Sequence, residues 1–177
     1  VLPGDDLTVN VSMDNRGEET AEEITIELFF DNGVDRVSLG ERSGIPNGDV
    51  YGNKINWDHT DMNRLDTLPG GDDASIDVAI PVRDEGSTTI KLHAEAQITT
   101  VGGIDINRTI TSSELTVRVA SNLFGGATAS YYDNSGSPIG QGPMPPTVGQ
   151  ETTYRVTWTV ANTLNDVEDL VMVAAIP

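Results

Sequence analysis

Cysteine is absent from the 177 residues. That excludes a disulfide framework, thiolate metal ligands and a thiol nucleophile. It does not imply a reducing compartment, since sheet packing alone can hold a surface domain. Lysine is scarce: Lys54 and Lys91 stand beside eight arginines. Histidine is limited to His59, in a loop after Trp57, and His93, on the polar side of a strand pattern. With no cysteine and no second histidine nearby, a zinc site lacks its donors. No glycine-rich phosphate cradle and no serine-centred nucleophile elbow occurs. No stretch approaches the roughly 20 consecutive apolar residues of a membrane-spanning helix, and no segment sustains a helical period.

Acid fills much of the space that these absences leave. Twenty-eight Asp and Glu oppose 10 Lys and Arg, a net charge of −18. Such a field repels a nucleic-acid duplex and an anionic membrane and attracts divalent cations. Few lysines among many aspartates fit a salt-rich habitat and equally a GC-rich genome. Both ends of the chain, Val1 directly before a strand pattern and Ile176-Pro177 directly after one, read as cuts inside a longer protein.

The dominant pattern has period two. Leu7, Val9, Val11 and Met13 alternate with polar residues, as do Ile24, Ile26, Leu28 and Phe30. The runs Ile76–Val82, Ile90–Ile98 and Leu115–Val119 do the same. One apolar and one polar face per run predicts antiparallel strands with one side on a core. Turn signals separate the runs: Asp31-Asn32-Gly33, Pro46-Asn47-Gly48-Asp49, Pro69-Gly70-Gly71-Asp72, Gly102-Gly103 and Asn134-Ser135-Gly136. Pro81 lies within a strand pattern and cannot donate to a ladder, so that strand is expected at an edge or with a bulge. One helical turn is expected at Thr60–Leu65, capped by Thr60.

The chain also repeats itself. Pro3-Gly4-Asp5-Asp6-Leu7 leads into Val9, Val11, Met13 and Asn15; Val148-Gly149-Gln150-Glu151-Thr152 leads into Tyr154, Val156, Trp158, Val160 and Asn162. A polar acidic loop follows each, then an alternating run: Ile24 to Phe30 in the first copy, Leu170, Met172, Ala174 and Ile176 in the second. A spacing of about 146 residues is too long for a solenoid unit and fits an array of whole domains. The reading is therefore all-β: tandem immunoglobulin-like antiparallel β-sandwiches, the first over residues 1–120, the second over 121–177 and incomplete. The short linker near Ala120–Asn122 limits bending.

These residues resemble the bacterial conserved-repeat domain of unknown function eleven and its cell-adhesion-related relative. The likeness rests on Pro3-Gly4-Asp5, the strand Leu7–Asn15 with Gly17, Ile24–Phe30, Ile55-Asn56-Trp57 and Leu68-Pro69-Gly70-Gly71-Asp72. In the second copy it rests on Gly142–Tyr154 running into Trp158-Thr159-Val160-Ala161-Asn162-Thr163, which is similar to repeats in large surface proteins of candidate-phylum bacteria. The resemblance implies immunoglobulin-like sandwiches in long secreted proteins serving as stalks, adhesins or surface-layer components. It brings no catalytic residues.

The one candidate chemistry is calcium. A hard cation takes six to eight oxygens, often from loop carboxylates and carbonyls. The candidate ligands are Asp5 with Asp6, Asp31 with Asp35, Asp58 with Asp61, and Asp72 with Asp73. None follows the EF-hand pattern, and aspartates flanking strands also keep turns wet and edges unattractive to other edges. Lys54 and Lys91 are expected to face outward, which argues against an isopeptide crosslink. Asn10-Val11-Ser12 and Asn107-Arg108-Thr109 match the glycosylation pattern, but three-residue matches are common by chance, and both are expected to be unused unless the source glycosylates its surface. Trp57 is expected to plug the first core, and Trp158 with Tyr154 the second. One of Tyr131 and Tyr132 must face out. Taken together, the sequence points to a non-enzymatic, extracellular repeat unit of a surface-layer, stalk or filament protein. Its expected partners are neighbouring repeats or identical chains, with no nucleic acid, no direct membrane insertion and no required cofactor. The competing readings are an adhesin module that binds host glycan or protein through its loops, and an accessory domain of a secreted hydrolase.

Overall fold

The computed structural model describes residues 1–41, 48–86 and 88–173. The chain divides into two compact units, Val1–Ser121 and Asn122–Pro177.

In the first unit, strands β1 (Asp6–Asp14) and β2 (Ala21–Phe30) precede a short helix, α1 (Arg36–Glu41). Then come β3 (Asp49–Tyr51), β4 (Lys54–Trp57), a 3-10 turn at Asn63–Leu65, β5 (Thr67–Leu68) and β6 (Asp73–Pro81). Strands β7 (Thr89–Val101), β8 (Ile104–Thr111) and β9 (Leu115–Arg118) complete it. All pairings are antiparallel. Strands β1 and β6 form a two-stranded sheet, and the other layer runs β3-β4-β2-β7-β8, with β5 beside β2 and β9 beside β7. The unit is an all-β antiparallel sandwich of the immunoglobulin-like class.

The period-two residues make its core. Val9 sits opposite Val78 and Val11 opposite Ile76 in the small sheet. Ile26 lies between Trp57 and Ala96, and Leu28 between Ile55 and Ala94, in the large one. Val9, Val11, Ile24, Ile26, Leu28, Phe30, Ile55, Trp57, Ile76, Val78, Ile80 and Leu92 are buried. Each fully buried aliphatic side chain of this kind contributes about 1.5–3 kcal/mol relative to exposure. Pro81 sits at the end of β6, opposite Asp6, in a strand whose one ladder partner among the described strands is β1, where its missing N–H costs least. Gly102 and Gly103 take φ of +57° and +76°, the two left-handed residues of a tight β7–β8 hairpin.

The local expectations that failed did so for identifiable reasons. The helical turn at Thr60–Leu65 is only the 3-10 turn Asn63–Leu65, preceded by Met62 with no side-chain cap. Thr60 instead donates its N–H and hydroxyl to Asp58 Oδ1, at 2.7 and 2.6 Å, closing an Asx turn. The helix lies earlier, at α1, where Asp35 Oδ1 accepts the N–H groups of Val37 and Ser38. Six residues with one buried side chain, Leu39, leave no period to read. Lys54 sits on the outer side of its sheet, as expected, but its side chain is only 32% exposed. Its Nζ donates to Glu27 Oε1 at 2.5 Å and lies 5.5 Å from the Phe29 ring centre. Phe29 in turn stacks on His93 at 4.9 Å.

The second unit holds β10 (Leu123–Ser130) and β11 (Arg155–Asn162), an antiparallel pair. Between them Asp133 Oδ1 accepts the N–H groups of Ser135 and Ser137 and the Ser135 hydroxyl, and Gly136 takes φ +82°. Tyr131 packs edge-on against Tyr132 and Tyr154 and donates its hydroxyl to the Gly142 carbonyl; Tyr132 is the exposed member of the adjacent pair. The expected second core is absent among the described residues. Trp158 is 40% and Tyr154 41% exposed, because two strands have no opposing layer to close on. The run from Leu170 does not form a strand over 170–173; Ala174 and Ile176 lie outside the described residues, as do Pro46 and Asn47.

Candidate assembly surfaces

The aspartates of the calcium expectation lie in turns or, for Asp6 and Asp73, at the first position of a strand. Asp5 Oδ2 accepts the Leu2 N–H at 3.2 Å, and Asp6 opens β1. Asp31 Oδ1 accepts the Gly33 N–H at 3.0 Å. Asp61 Oδ2 accepts the Asp58 N–H at 3.0 Å. Asp72 lies 4.0 Å from the Arg64 guanidinium, and the Asp73 carbonyl accepts a bond from the same side chain. Among the described residues no three His, Cys, Asp or Glu side chains are grouped to hold a metal ion. The two carboxylates of a pair bring at most four oxygens, where a calcium ion takes six to eight. Closing a turn or a cap engages the carboxylates of Asp5, Asp31, Asp35, Asp58 and Asp61, and such bonds also tune acidity. The Ser38 hydroxyl above all, helped by the Ser38 and Val37 N–H groups, holds the Asp35 carboxyl below its ordinary value although desolvation pushes it up. The Thr60 hydroxyl does the same for Asp58, and the Ser135 hydroxyl for Asp133.

Asn10 spends its amide on Ser75 Oγ and Asp77 Oδ1, at 2.8 and 2.7 Å. Asn107 lies exposed on β8 with φ +45°. Lys91 pairs with Glu114 at 2.9 Å on the surface.

The unusual features are apolar. Strands β10 and β11 expose Phe124, Val156, Trp158 and Val160. In the first unit, the small sheet leaves part of the large one uncovered. Ala96 pairs with Ile110, and Leu92 with Leu115, so all four point to the core side. Yet Ile110 is 45% and Leu115 51% exposed. A groove of about 290 Å³ runs there, lined by Val11, Met13, Ile26, Ala94, Ala96 and Ile110. It continues past Leu28, Leu92 and Leu115. Sequence reading missed β8, β10 and this groove. Ile104, Ile106 and Ile110 alternate, which was the available signal for β8, but an uncovered side cannot be told from a covered one by period.

No family model matches the chain, and no curated protein matches it. Solved structures that resemble it in fold include two pilins. One is BcpA*(D312A), the major pilin subunit of Bacillus cereus, at 16% identity and a TM-score of 0.46, with 90% of this chain and 52% of that one covered. The other is domains D2 and D3 of the major pilin SpaD from Corynebacterium diphtheriae, at 15% identity and 0.40, with 95% and 72% covered. The chain spans about half the length of the BcpA* chain. At this level of likeness, the pilins' role remains a property of the pilins. No helix among the described residues is long and apolar enough to cross a membrane.

Proposed function

We propose that this chain is a structural, non-catalytic repeat unit of an extracellular surface protein, a surface layer, stalk or filament, of the conserved-repeat family that its turn and strand motifs resemble. The observation that carries the reading is the recurrence of one strand design in two successive β units. Strands β1 and β11 each follow a glycine-acid turn; β1 carries Leu7, Val9, Val11 and Met13 and leads directly into Asn15, and β11 carries Val156, Trp158 and Val160 and ends on Asn162. Asn15 and Asn162 then do the same work, each donating Nδ2 to a carbonyl of the following loop, that of Glu19 and that of Asn165. Repetition of a whole-domain design supports a spacer or lattice whose strength lies in sheet packing, with the net charge of −18 keeping copies dispersed until they are assembled. Neighbouring repeats or identical chains are its partners.

Immunogold labelling of intact source cells, with imaging of the envelope, tests this. A surface label on a regular array or fibre is the expected result. A purely intracellular label sinks the reading. A surface label without order, together with glycan or host-protein capture by the purified chain, favours the adhesin alternative.

A further inference from the structure

We propose that the open edge of β1 seats a strand donated by a second copy of this chain, namely β10. The inference deepens the assembly reading above and rests on it.

In an antiparallel strand, successive residues direct their backbone N–H and C=O to opposite edges. The Asn15 N–H donates to the Asp72 carbonyl, and the Val82 N–H donates to the Asp5 carbonyl. The odd-numbered residues of β1 therefore face β6. Thr8, Asn10, Ser12 and Asp14 direct their backbone groups to the other edge, where no strand pairs among the described residues. The apolar residues and closing asparagines align Val156 with Val9, Trp158 with Val11, Val160 with Met13 and Asn162 with Asn15. On β11 the Thr163 N–H donates to the Asn122 carbonyl. Thr163 belongs to the set Arg155, Thr157, Thr159 and Ala161, which this alignment matches to Thr8, Asn10, Ser12 and Asp14. Strand β10 thus occupies on β11 the same edge that stands open on β1.

The open edge also has a floor. A strand laid along it covers the groove over Ala94, Ala96, Ile110 and Leu115. Transferring the β10–β11 register to β1 turns Gly125, Ala127 and Ala129 toward that floor, where Ile110 and Leu115 already supply bulk. The segment Leu123–Ser130 is uncharged, so it adds no repulsion beside Asp6 and Asp14.

The donor is a second copy because the chain's own β10 cannot reach. In this register Leu123 lies opposite Asn15, whereas the Ala120 N–H is bound to the Val1 carbonyl, beyond the other end of β1. Strand β1 alone is about 27 Å long, and the three residues from Ala120 to Leu123 span at most about 11 Å. Strand β10 gives up little by leaving β11. Residues 123–129 are all exposed there, and an isolated two-stranded pair is marginal. The long connection 131–154 allows the exchange.

Two proline variants test this. Ser12→Pro removes an outward N–H of the acceptor edge and spares the β6 ladder; Thr128→Pro breaks the donor. Sedimentation should show concentration-dependent association of the unaltered chain, loss of it in each variant, and its return when the two variants are mixed, since one keeps a donor and the other an acceptor. A synthetic 122–130 peptide should bind Thr128→Pro and compete with association. Association that persists in both variants, or a mixture that stays monomeric, overturns the proposal. So does peptide uptake by an unaltered chain that never self-associates, which places the donor outside this chain. If Ser12→Pro fails to fold by circular dichroism, Thr128→Pro with the peptide decides alone. Failure here leaves the envelope labelling experiment untouched, so the two readings fail separately.

Discussion

The two tryptophans make the sharpest test of the packing argument, because a sequence reader treats them alike and the structure does not. Trp57 is 1% exposed, between sheets that close over it, and Trp158 is 40% exposed on a pair of strands with no opposing layer among the described residues. Truncating a buried tryptophan to alanine costs about 3–5 kcal/mol through lost transfer energy and the cavity left behind. In a unit of about 120 residues, at roughly 4 °C per kcal/mol, Trp57→Ala should lower the melting temperature by about 12–20 °C. Trp158→Ala should cost about 1 kcal/mol or less, the value for a side chain that only leans on cross-strand neighbours. Calorimetry measures both. Fluorescence gives an independent check, since each single variant leaves one tryptophan. Trp57 should emit to the blue and resist acrylamide, and Trp158 in dilute solution should emit to the red and quench freely. Equal losses, or a shielded Trp158 in the dilute chain, would refute the claim that burial follows from an opposing layer.

Gly70 should resist substitution for a reason unrelated to its backbone angle: an added Cβ would fall 2.5 Å from the Glu18 carbonyl oxygen. Gly70→Ala should therefore destabilise by about 1–3 kcal/mol in a denaturant melt. Lys54→Ala strands the Glu27 carboxylate, which is nearly buried, and should cost about 1–3 kcal/mol; adding Glu27→Gln should recover part of it in a double-mutant cycle. Asp35→Asn keeps the helix cap but not its charge. Because the folded carboxyl titrates below its ordinary 3.8, the unaltered chain's advantage over this variant should be full above that pH. It should vanish as the pH falls through the folded value, as followed by melts in acid. Millimolar calcium should leave the melting temperature of the purified chain unchanged, since the candidate aspartates serve turns and do not converge; a rise of several degrees would show a site built in some other way.

Much of the first unit was legible because a pleated strand puts every second residue on one side. Val9, Ile26, Val78 and Leu92 could be assigned to a core before any partner was known, and Gly102-Gly103 could be assigned to a tight hairpin because only glycine accepts two left-handed residues cheaply. Helix α1 escaped because a single turn has no period, and Thr60 was misread as a cap because an Asx turn and a helix cap use the same residue types. Trp158 was misassigned for a deeper reason. Alternation states that a strand has an apolar side, not that anything lies on it. The sequence by itself determined which side chains share a face, where the chain turns and that one strand design recurs. Only the tertiary structure decided which faces meet, which aspartates stay apart and which edge of β1 is open, because those depend on how many strands each sheet collects and in what order, and residue spacing along one strand carries no record of its neighbours.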